Sequence, residues 1–148
     1  MNPKKRPVVL FLCTHNSCRS QMAEGFLRHL AGDSVEVLSA GLSPTEVHPL
    51  AIRAMADAGI DISNQRSKDV KGILGEKPIT HAIFVCASAE ENCPSIYPFA
   101  LQRHSWPFED PAEFEGTDEE RYQKFIEVRD QIAEKIRQWW SDVETKGM

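Results

Sequence analysis

Residues 7–20 read P-V-V-L-F-L-C-T-H-N-S-C-R-S, and the order of apolar and polar residues in them indicates the class of fold. The apolar run from Pro7 to Leu12 is typical of a buried strand. Five residues separate Cys13, where the run ends, from Arg19. The apolar residues beyond Arg19 recur at spacings of three and four, and they are Met22, Ala23, Phe26, Leu27 and Leu30. We therefore predict a strand, a short loop and an amphipathic helix in direct succession.

The loop between Cys13 and Arg19 has the composition of an anion-binding site. Its backbone N–H groups can turn inward to form a nest, which the N-terminus of the following helix extends. A guanidinium adds a planar, two-pronged donor. A helix N-terminus or a nearby cation can also lower a cysteine pKa from about 8.5 to roughly 3.5–7.5. We predict that Cys13 is a nucleophile, the alternative being a buried cysteine at a strand end. The predicted oxyanion-binding residues are Thr14, His15, Asn16, Ser17, Cys18 and Arg19.

Further along the chain, strand patterns alternate with helical patterns. The predicted strands are Val35–Ser39, Ala82–Cys86 and Gln102–Trp106, and the predicted helical stretches are His48–Gly59, a short turn within Ser67–Leu74, and Asp118 to about Val143. Strands separated by helices form right-handed βαβ units with parallel strands. The sequence therefore predicts one α/β domain over residues 1–148, with a central four-stranded parallel sheet and helices on both of its faces.

Three candidate functional residues follow predicted strands. Ligands of such sheets bind outside the carboxyl ends of the strands. Cys13, Cys86 and the turn at Asp110 each come after a strand, so all three could gather at one edge. The alternative for Asp110 is an ordinary turn carboxylate, because Asp-Pro is a common turn pair.

The composition excludes several classes of partner. With 17 Lys and Arg against 22 Asp and Glu, the net charge is −5, which argues against nucleic acid or an anionic membrane. An anionic substrate must then be captured by local donors. No apolar run approaches the roughly 18 residues of a membrane span, and the N-terminus does not have the pattern of a signal peptide. We expect a cytoplasmic protein, and its charged faces favour a monomer.

The four cysteines are Cys13, Cys18, Cys86 and Cys93. Structural disulfides are rare in a reducing compartment, and these spacings differ from those of zinc sites. We therefore predict no metal and no cofactor. Along a helix Cys86 and Cys93 would lie about 10.5 Å apart, whereas a disulfide needs Cα atoms roughly 4.4–6.8 Å apart. They can pair only if the polar segment between them unwinds, the alternative being that both thiols are incidental.

The chain resembles the thioredoxin-coupled arsenate reductases, which share the low-molecular-weight protein tyrosine phosphatase fold. The resemblance covers nearly the whole sequence. Its motifs are C-T-H-N-S-C-R-S-Q-M-A-E-G at Cys13–Gly25, S-A-G at Ser39–Gly41, D-I-S-N at Asp61–Asn64, C-x6-C-P at Cys86–Pro94 and W-x-F-x-D-P at Trp106–Pro111. The cysteine pair and the run that begins at Ser17 specify the reductases, whereas C-x5-R-S alone would equally suit the phosphatases.

The resemblance implies a first step at the oxyanion loop. The Cys13 thiolate attacks arsenate, which is held by Arg19 and the loop amides. Ser20 donates a hydrogen bond to the thiolate and lowers its pKa further. Asp110 protonates the departing oxygen as general acid. Sulfate or phosphate, as similar oxyanions, would compete with arsenate.

The resemblance also implies a relay of disulfides. Cys86 attacks the Cys13 adduct, which releases arsenite and leaves a transient disulfide between Cys13 and Cys86. Cys93 then attacks Cys86, and thioredoxin reduces the resulting disulfide between Cys86 and Cys93.

Two positions depart from the family pattern. His15 stands where phosphatases and some reductases have Gly, so the loop backbone there must suit a side chain. Members that bind a monovalent cation near the loop use Asn16, Glu24, Ser39 and an acidic residue, and Lys68 stands at the acidic position here. Its ammonium could replace the cation and pair with Glu24, which predicts that potassium does not stimulate activity.

Two other functions could use the same loop. A low-molecular-weight protein tyrosine phosphatase would employ the same nucleophile, arginine and general acid with water, but it leaves Cys86 and Cys93 unused. Only Phe108 and Phe114 could frame an aromatic substrate near Asp110. A nonenzymatic oxyanion-binding or redox-sensing module would need no general acid. We therefore favour the reductase, with residual phosphatase activity.

Overall fold

The computed structural model describes residues 6–73, 78–86 and 100–146 of the chain. Its centre is a sheet of four strands, which are β1 (Val8–Cys13), β2 (Glu36–Gly41), β3 (Ile79–Phe84) and β4 (Ala100–Ser105). All neighbouring strands are parallel, in the order β2-β1-β3-β4. The predicted sheet is confirmed, and the strand bounds differ from the predicted ones by one to three residues.

Three α-helices are present in the described ranges: α1 (Arg19–Ala31), α2 (Pro49–Asp57) and α3 (Asp118–Lys146). The ring of His48 caps α2 by accepting a hydrogen bond from the backbone N–H of Leu50 at 3.0 Å, and Pro49 occupies the first turn. Short 3-10 turns at Gly32–Ser34, Val70–Gly72 and Pro111–Glu113 complete the described elements. No described helix has the length and apolarity that a membrane span requires.

The core lies around β1, because every residue of this strand is buried. Burial along the whole strand means that both faces of the sheet are covered at its centre. Phe11, Phe84 and Phe125 are among the largest side chains that are fully buried, and α3 packs against α1 and α2. A rigid strand therefore holds Cys13 at its carboxyl end.

A cluster of aromatic and imidazole rings joins β3, β4 and α3. His81 Nδ1 lies 2.9 Å from His104 Nε2, and Trp139 meets His81 edge-on with 5.0 Å between ring centroids. Burial and the neighbouring His104 lower the pKa of His81 to about 4. This cluster could not be predicted from the sequence, because two histidines 23 residues apart meet only through the pairing of β3 with β4.

Gly41, the last residue of β2, lies against the loop that follows β1. A Cβ atom at this position would come within 2.7 Å of the Thr14 carbonyl oxygen and 2.8 Å of the Asn16 nitrogen. Both are backbone atoms, so they cannot rotate away as a side chain would. Only glycine allows β2 to approach the loop this closely.

Replacing Gly41 with alanine is therefore expected to destabilise the protein by about 1–3 kcal/mol. Urea unfolding of wild type and variant measures the difference in the free energy of unfolding. Gly72→Ala is the matched control, because a Cβ atom at Gly72 has no heavy atom within 4 Å. Equal stability of the two variants would contradict the close packing at Gly41.

The buried imidazole of His81 predicts that stability falls on acidification between about pH 6.5 and 4. The pKa of His81 is about 4 in the folded protein, against an ordinary value of 6.5. The unfolded chain binds more protons in this window, so stability is retained above it and is lost as the pH falls through it. Urea unfolding at pH about 7.5 and about 5 measures the loss.

His81→Leu should weaken this pH dependence, whereas His29→Gln should leave it unchanged, since His29 is exposed. The same loss of stability in wild type and His81→Leu would show that other groups cause it.

Candidate active site

The loop from Thr14 to Cys18 connects β1 to α1, with Cys13 as the last residue of β1 and Arg19 as the first residue of α1. Its carbonyl oxygens bond to the segment that follows β2. The Ser43, Thr45 and His48 amides donate to the carbonyl oxygens of residues 14, 15 and 17 at 2.8, 3.2 and 3.1 Å. With these carbonyls turned outward, the loop N–H groups can face inward, and the His15 amide bonds to the Cys13 sulfur.

Asn16 fixes the shape of the loop from inside. It is fully buried and has a φ of 51°, a left-handed conformation that asparagine tolerates better than most residues. Its Nδ2 donates to Ser20 Oγ at 2.8 Å and to Ser39 Oγ at 3.0 Å, and its Oδ1 accepts from the Lys68 amide at 2.8 Å. Asn16 thus ties the loop to α1, to β2 and to the segment that contains Lys68.

Gln21 and Ser67 hold the backbone of Asn16, a role that was not predicted from the sequence for either residue. Gln21 Nε2 donates to the Asn16 carbonyl oxygen at 3.0 Å and to the Arg66 carbonyl oxygen at 2.8 Å. Ser67 Oγ donates to the same Asn16 oxygen at 2.7 Å. A glutamine within an apolar helix face is the one available signal, but its partners are distant in sequence.

Cys86 follows β3 closely and forms a hydrogen bond with Cys13. Both residues are buried, at 3% and 4% exposure. Thr14 Oγ1 lies 3.5 Å from Cys86 Sγ, so the second sulfur also contacts the loop. The two thiols therefore meet at the carboxyl edge of the sheet, as the strand pattern predicted. Cys93 lies outside the described residues.

The pKa of Cys13 is raised in this structure, contrary to the prediction from sequence. The hydrogen bond with Cys86 raises it most and burial raises it further, while the Arg19 charge and the His15 N–H oppose them. The Ser20 hydroxyl accepts a hydrogen bond from Asn16, and no hydrogen bond joins it to Cys13, both residues lying in the described region. Two thiols in contact favour one thiolate and one thiol over two thiolates, because adjacent negative charges repel.

Cys18 is a different kind of cysteine. Burial raises the pKa of its thiol to about 12, although the Ser17 hydroxyl, 3.7 Å away, lowers it slightly. A thiol with this pKa is protonated at neutral pH and is a poor nucleophile. Its side chain packs in the hydrophobic core, while its backbone remains part of the loop.

Arg19 and Asp110 form the cationic and acidic sides of the site. Their side chains pair at 3.4 Å, and Arg19 also donates to the Phe108 carbonyl oxygen at 3.0 Å. Asp110 accepts from the Ala112 amide at 3.0 Å, which fixes its carboxylate at the start of a 3-10 turn. Arg19 Nε is buried and has no partner among the described residues. An unpaired buried donor is unfavourable, so an oxyanion in the cavity would satisfy it.

The cavity over the loop is small, about 60 Å³, and is lined by Cys13, His15, Ser17, Cys18, Arg19, Thr45, Asp110 and Ala112. No phenylalanine, tyrosine or tryptophan ring of the described residues lines it. Phe108 packs against the core and Phe114 lies under the Lys124 ammonium at 5.1 Å. The described lining residues therefore offer charge and hydrogen bonds to an oxyanion.

A buried polar network extends behind the loop to Glu24. Ser39 Oγ donates to Glu24 Oε1 at 2.5 Å, and Arg28 pairs with Glu24 at 2.6 Å. The Lys68 ammonium lies 3.7 Å from Glu24, which is the pairing that the sequence suggested, and it donates to the Arg66 carbonyl oxygen at 2.6 Å. Among the described residues no group of three or more metal-ligating side chains comes together.

Comparison with known proteins places this architecture in a family. Residues 8–148 match the family described as low molecular weight phosphotyrosine protein phosphatase. An arsenate reductase from Shouchella clausii is 43% identical over 134 residues, which cover 90% of this chain and 95% of that protein.

Solved structures of arsenate reductases also have a similar fold. An arsenate reductase in the phosphate binding state has a TM-score of 0.78 at 34% identity, covering 93% of this chain and 98% of that one. A thioredoxin-dependent arsenate reductase from Corynebacterium glutamicum has a TM-score of 0.71 at 30% identity, covering 95% of this chain and 63% of that one. The chain therefore belongs to the low molecular weight phosphotyrosine protein phosphatase family and is similar, within it, to the arsenate reductases.

Proposed function

We propose that this protein reduces arsenate to arsenite through a relay of three thiols and is returned to its reduced form by thioredoxin. The contact between Cys13 and Cys86 carries the proposal. Hydrolysis of a phosphate ester needs one thiol in this cavity, whereas a disulfide relay needs a second sulfur within reach of the first. The relatives named as arsenate reductases and the thioredoxin-dependent neighbour support it.

The first step forms a bond between sulfur and arsenic. Arsenate enters the cavity and accepts hydrogen bonds from Arg19, including its unpaired Nε, and from the loop amides. The Cys13 thiolate attacks arsenic, and one hydroxyl group of arsenate leaves with a proton from Asp110 as water. The bound oxyanion competes with Asp110 for Arg19, and its negative charge favours a proton on the nearby carboxyl group.

The second step is the reduction itself. The Cys86 sulfur attacks Cys13 Sγ, so a disulfide forms while the bond between sulfur and arsenic breaks. The electron pair of the broken bond stays on arsenic, which leaves as arsenite. Since one thiol of the Cys13–Cys86 pair keeps its proton, Cys86 must lose that proton before it attacks, and the Asp110 carboxylate left by the first step, which lines the same cavity, can accept it.

The third step moves the disulfide outward. Cys93 attacks Cys86, which frees Cys13 and leaves a disulfide between Cys86 and Cys93. Thioredoxin then exchanges with that disulfide and is itself oxidised. We propose that residues 1–148 carry this cycle as one domain in a cytoplasmic monomer, without a cofactor, and that sulfate or phosphate competes with arsenate for the loop.

The second candidate is phosphatase activity, which the family match favours. Cys13, Arg19 and Asp110 could transfer a phosphoryl group and water could release it. The lining of the cavity in the described region contains no phenylalanine, tyrosine or tryptophan to pack against the ring of phosphotyrosine, so we assign phosphatase activity a residual role.

The relay predicts arsenate-dependent oxidation of NADPH in the presence of thioredoxin and thioredoxin reductase. Cys86→Ser and Cys93→Ser should both lose multiple turnover, because each variant cannot pass the disulfide outward. Rapid-quench measurement of arsenite should show one turnover per molecule in Cys93→Ser and none in Cys86→Ser.

Hydrolysis of an aryl phosphate by the same two variants serves as the control, since it requires neither thiol. Sustained NADPH oxidation by Cys86→Ser, or none by the wild type, would refute the reductase.

The pairing of Lys68 with Glu24 predicts that potassium does not stimulate the wild-type enzyme, because an ammonium already balances the buried carboxylate. Lys68→Glu places two carboxylates together, so potassium should then raise activity by about threefold or more. Lys71→Glu is the matched control, since it makes the same charge change at an exposed position. A several-fold response of the wild type to potassium would overturn this assignment.

A further inference from the structure

We propose that the His15 side chain is a specificity-determining residue, which restricts the oxyanion cavity to inorganic oxyanions and disfavours phosphate esters. The inference rests on the proposed function and deepens it, because it explains how a phosphatase-like loop would select a small inorganic substrate.

The imidazole of His15 is tethered to the rim of the cavity. Its Nδ1 lies 3.1 Å from the Ser43 carbonyl oxygen. A carbonyl only accepts hydrogen bonds, so Nδ1 carries the proton and Nε2 has none in the neutral ring. Asn16 is the one non-glycine residue with a positive φ in the described ranges, so the backbone at His15 accepts a side chain without strain.

The rim that holds the ring is itself fixed. Backbone hydrogen bonds from Ser43, Thr45 and His48 bind the segment to the oxyanion loop. The tether from His15 adds a fourth bond between the same two segments. His15 is exposed, and this hydrogen bond holds its ring at the mouth of the cavity.

Cys13, Cys18 and Arg19 line the cavity together with two further sets of residues. His15 and Ser17 of the loop and Thr45 of the segment bonded to it form what we call the His15 wall, and Asp110 and Ala112 belong to the turn after β4. The organic group of a bound ester would have to pass these lining residues. In a cavity of about 60 Å³, an imidazole in one wall takes space that a glycine would leave open.

A larger groove lies directly beyond the wall that contains His15. It has a volume of about 480 Å³ and shares Ser17 and Thr45 with the cavity. Glu46 contributes a carboxylate to this groove. The organic group of an ester that extended into this groove would meet that negative charge, which disfavours an anionic organic group. Both the wall and the groove therefore favour binding of a free inorganic oxyanion over a phosphate ester.

Binding to the unreactive Cys13→Ser protein tests the proposal, with inorganic phosphate and phenyl phosphate as probes in isothermal titration calorimetry. Phosphate should bind more tightly than phenyl phosphate. In His15→Asn and His15→Ala, both made in the same background, that preference should fall by about fivefold or more. Asparagine can keep the bond to the Ser43 carbonyl oxygen while it removes the ring, so both variants should change alike.

Equal binding of phosphate and phenyl phosphate by the Cys13→Ser protein would overturn the proposal. So would a preference for phosphate that persists in both His15 variants. A loss of preference in His15→Ala alone would also overturn it, because the effect would then come from the bond to Ser43 and not from the ring. Thermal unfolding verifies that each variant is folded. The NADPH assay on the wild type reports separately on the proposed function. A wild type that fails to reduce arsenate while His15→Asn still loses selectivity would refute the reductase and leave the role of His15 standing.

Discussion

The outward orientation of the loop carbonyls is the constraint on which the site depends. Three carbonyl oxygens between Thr14 and Ser17 accept backbone hydrogen bonds from the segment after β2, and Gln21 and Ser67 bind a fourth, that of Asn16. A peptide unit that turns its C=O outward turns its N–H inward, so the rim of the protein creates the nest for the oxyanion. Gly41 makes this possible because any Cβ atom there would strike the loop backbone.

The charges of the site are balanced in pairs before any substrate arrives. Arg19 forms an ion pair with Asp110, and the thiol of Cys13 forms a hydrogen bond with the thiol of Cys86. In the proposed reaction, an oxyanion would replace the Asp110 carboxylate as the partner of Arg19. The same exchange would free Asp110 to act as the proposed general acid.

The network behind the loop shows how an internal cation can stabilise a buried carboxylate. Glu24 is 4% exposed, yet it has Arg28, Lys68 and the Ser39 hydroxyl as partners. A buried carboxylate without partners would be costly. Because Asn16 connects this network to the oxyanion loop, charge balance at Glu24 and the shape of the loop are coupled.

Hydrophobic period and motif spacing are local properties of the chain, and they were enough to predict the parallel sheet, the place of Cys13 at the end of β1 and that of Arg19 after a five-residue loop. They could not predict the pKa of Cys13, which depends on a sulfur 73 positions away, the partners of Gln21 or the His81–His104 cluster. Contacts between segments distant in sequence decide these features. Only the tertiary structure brings such segments within the few ångströms over which hydrogen bonds and burial act.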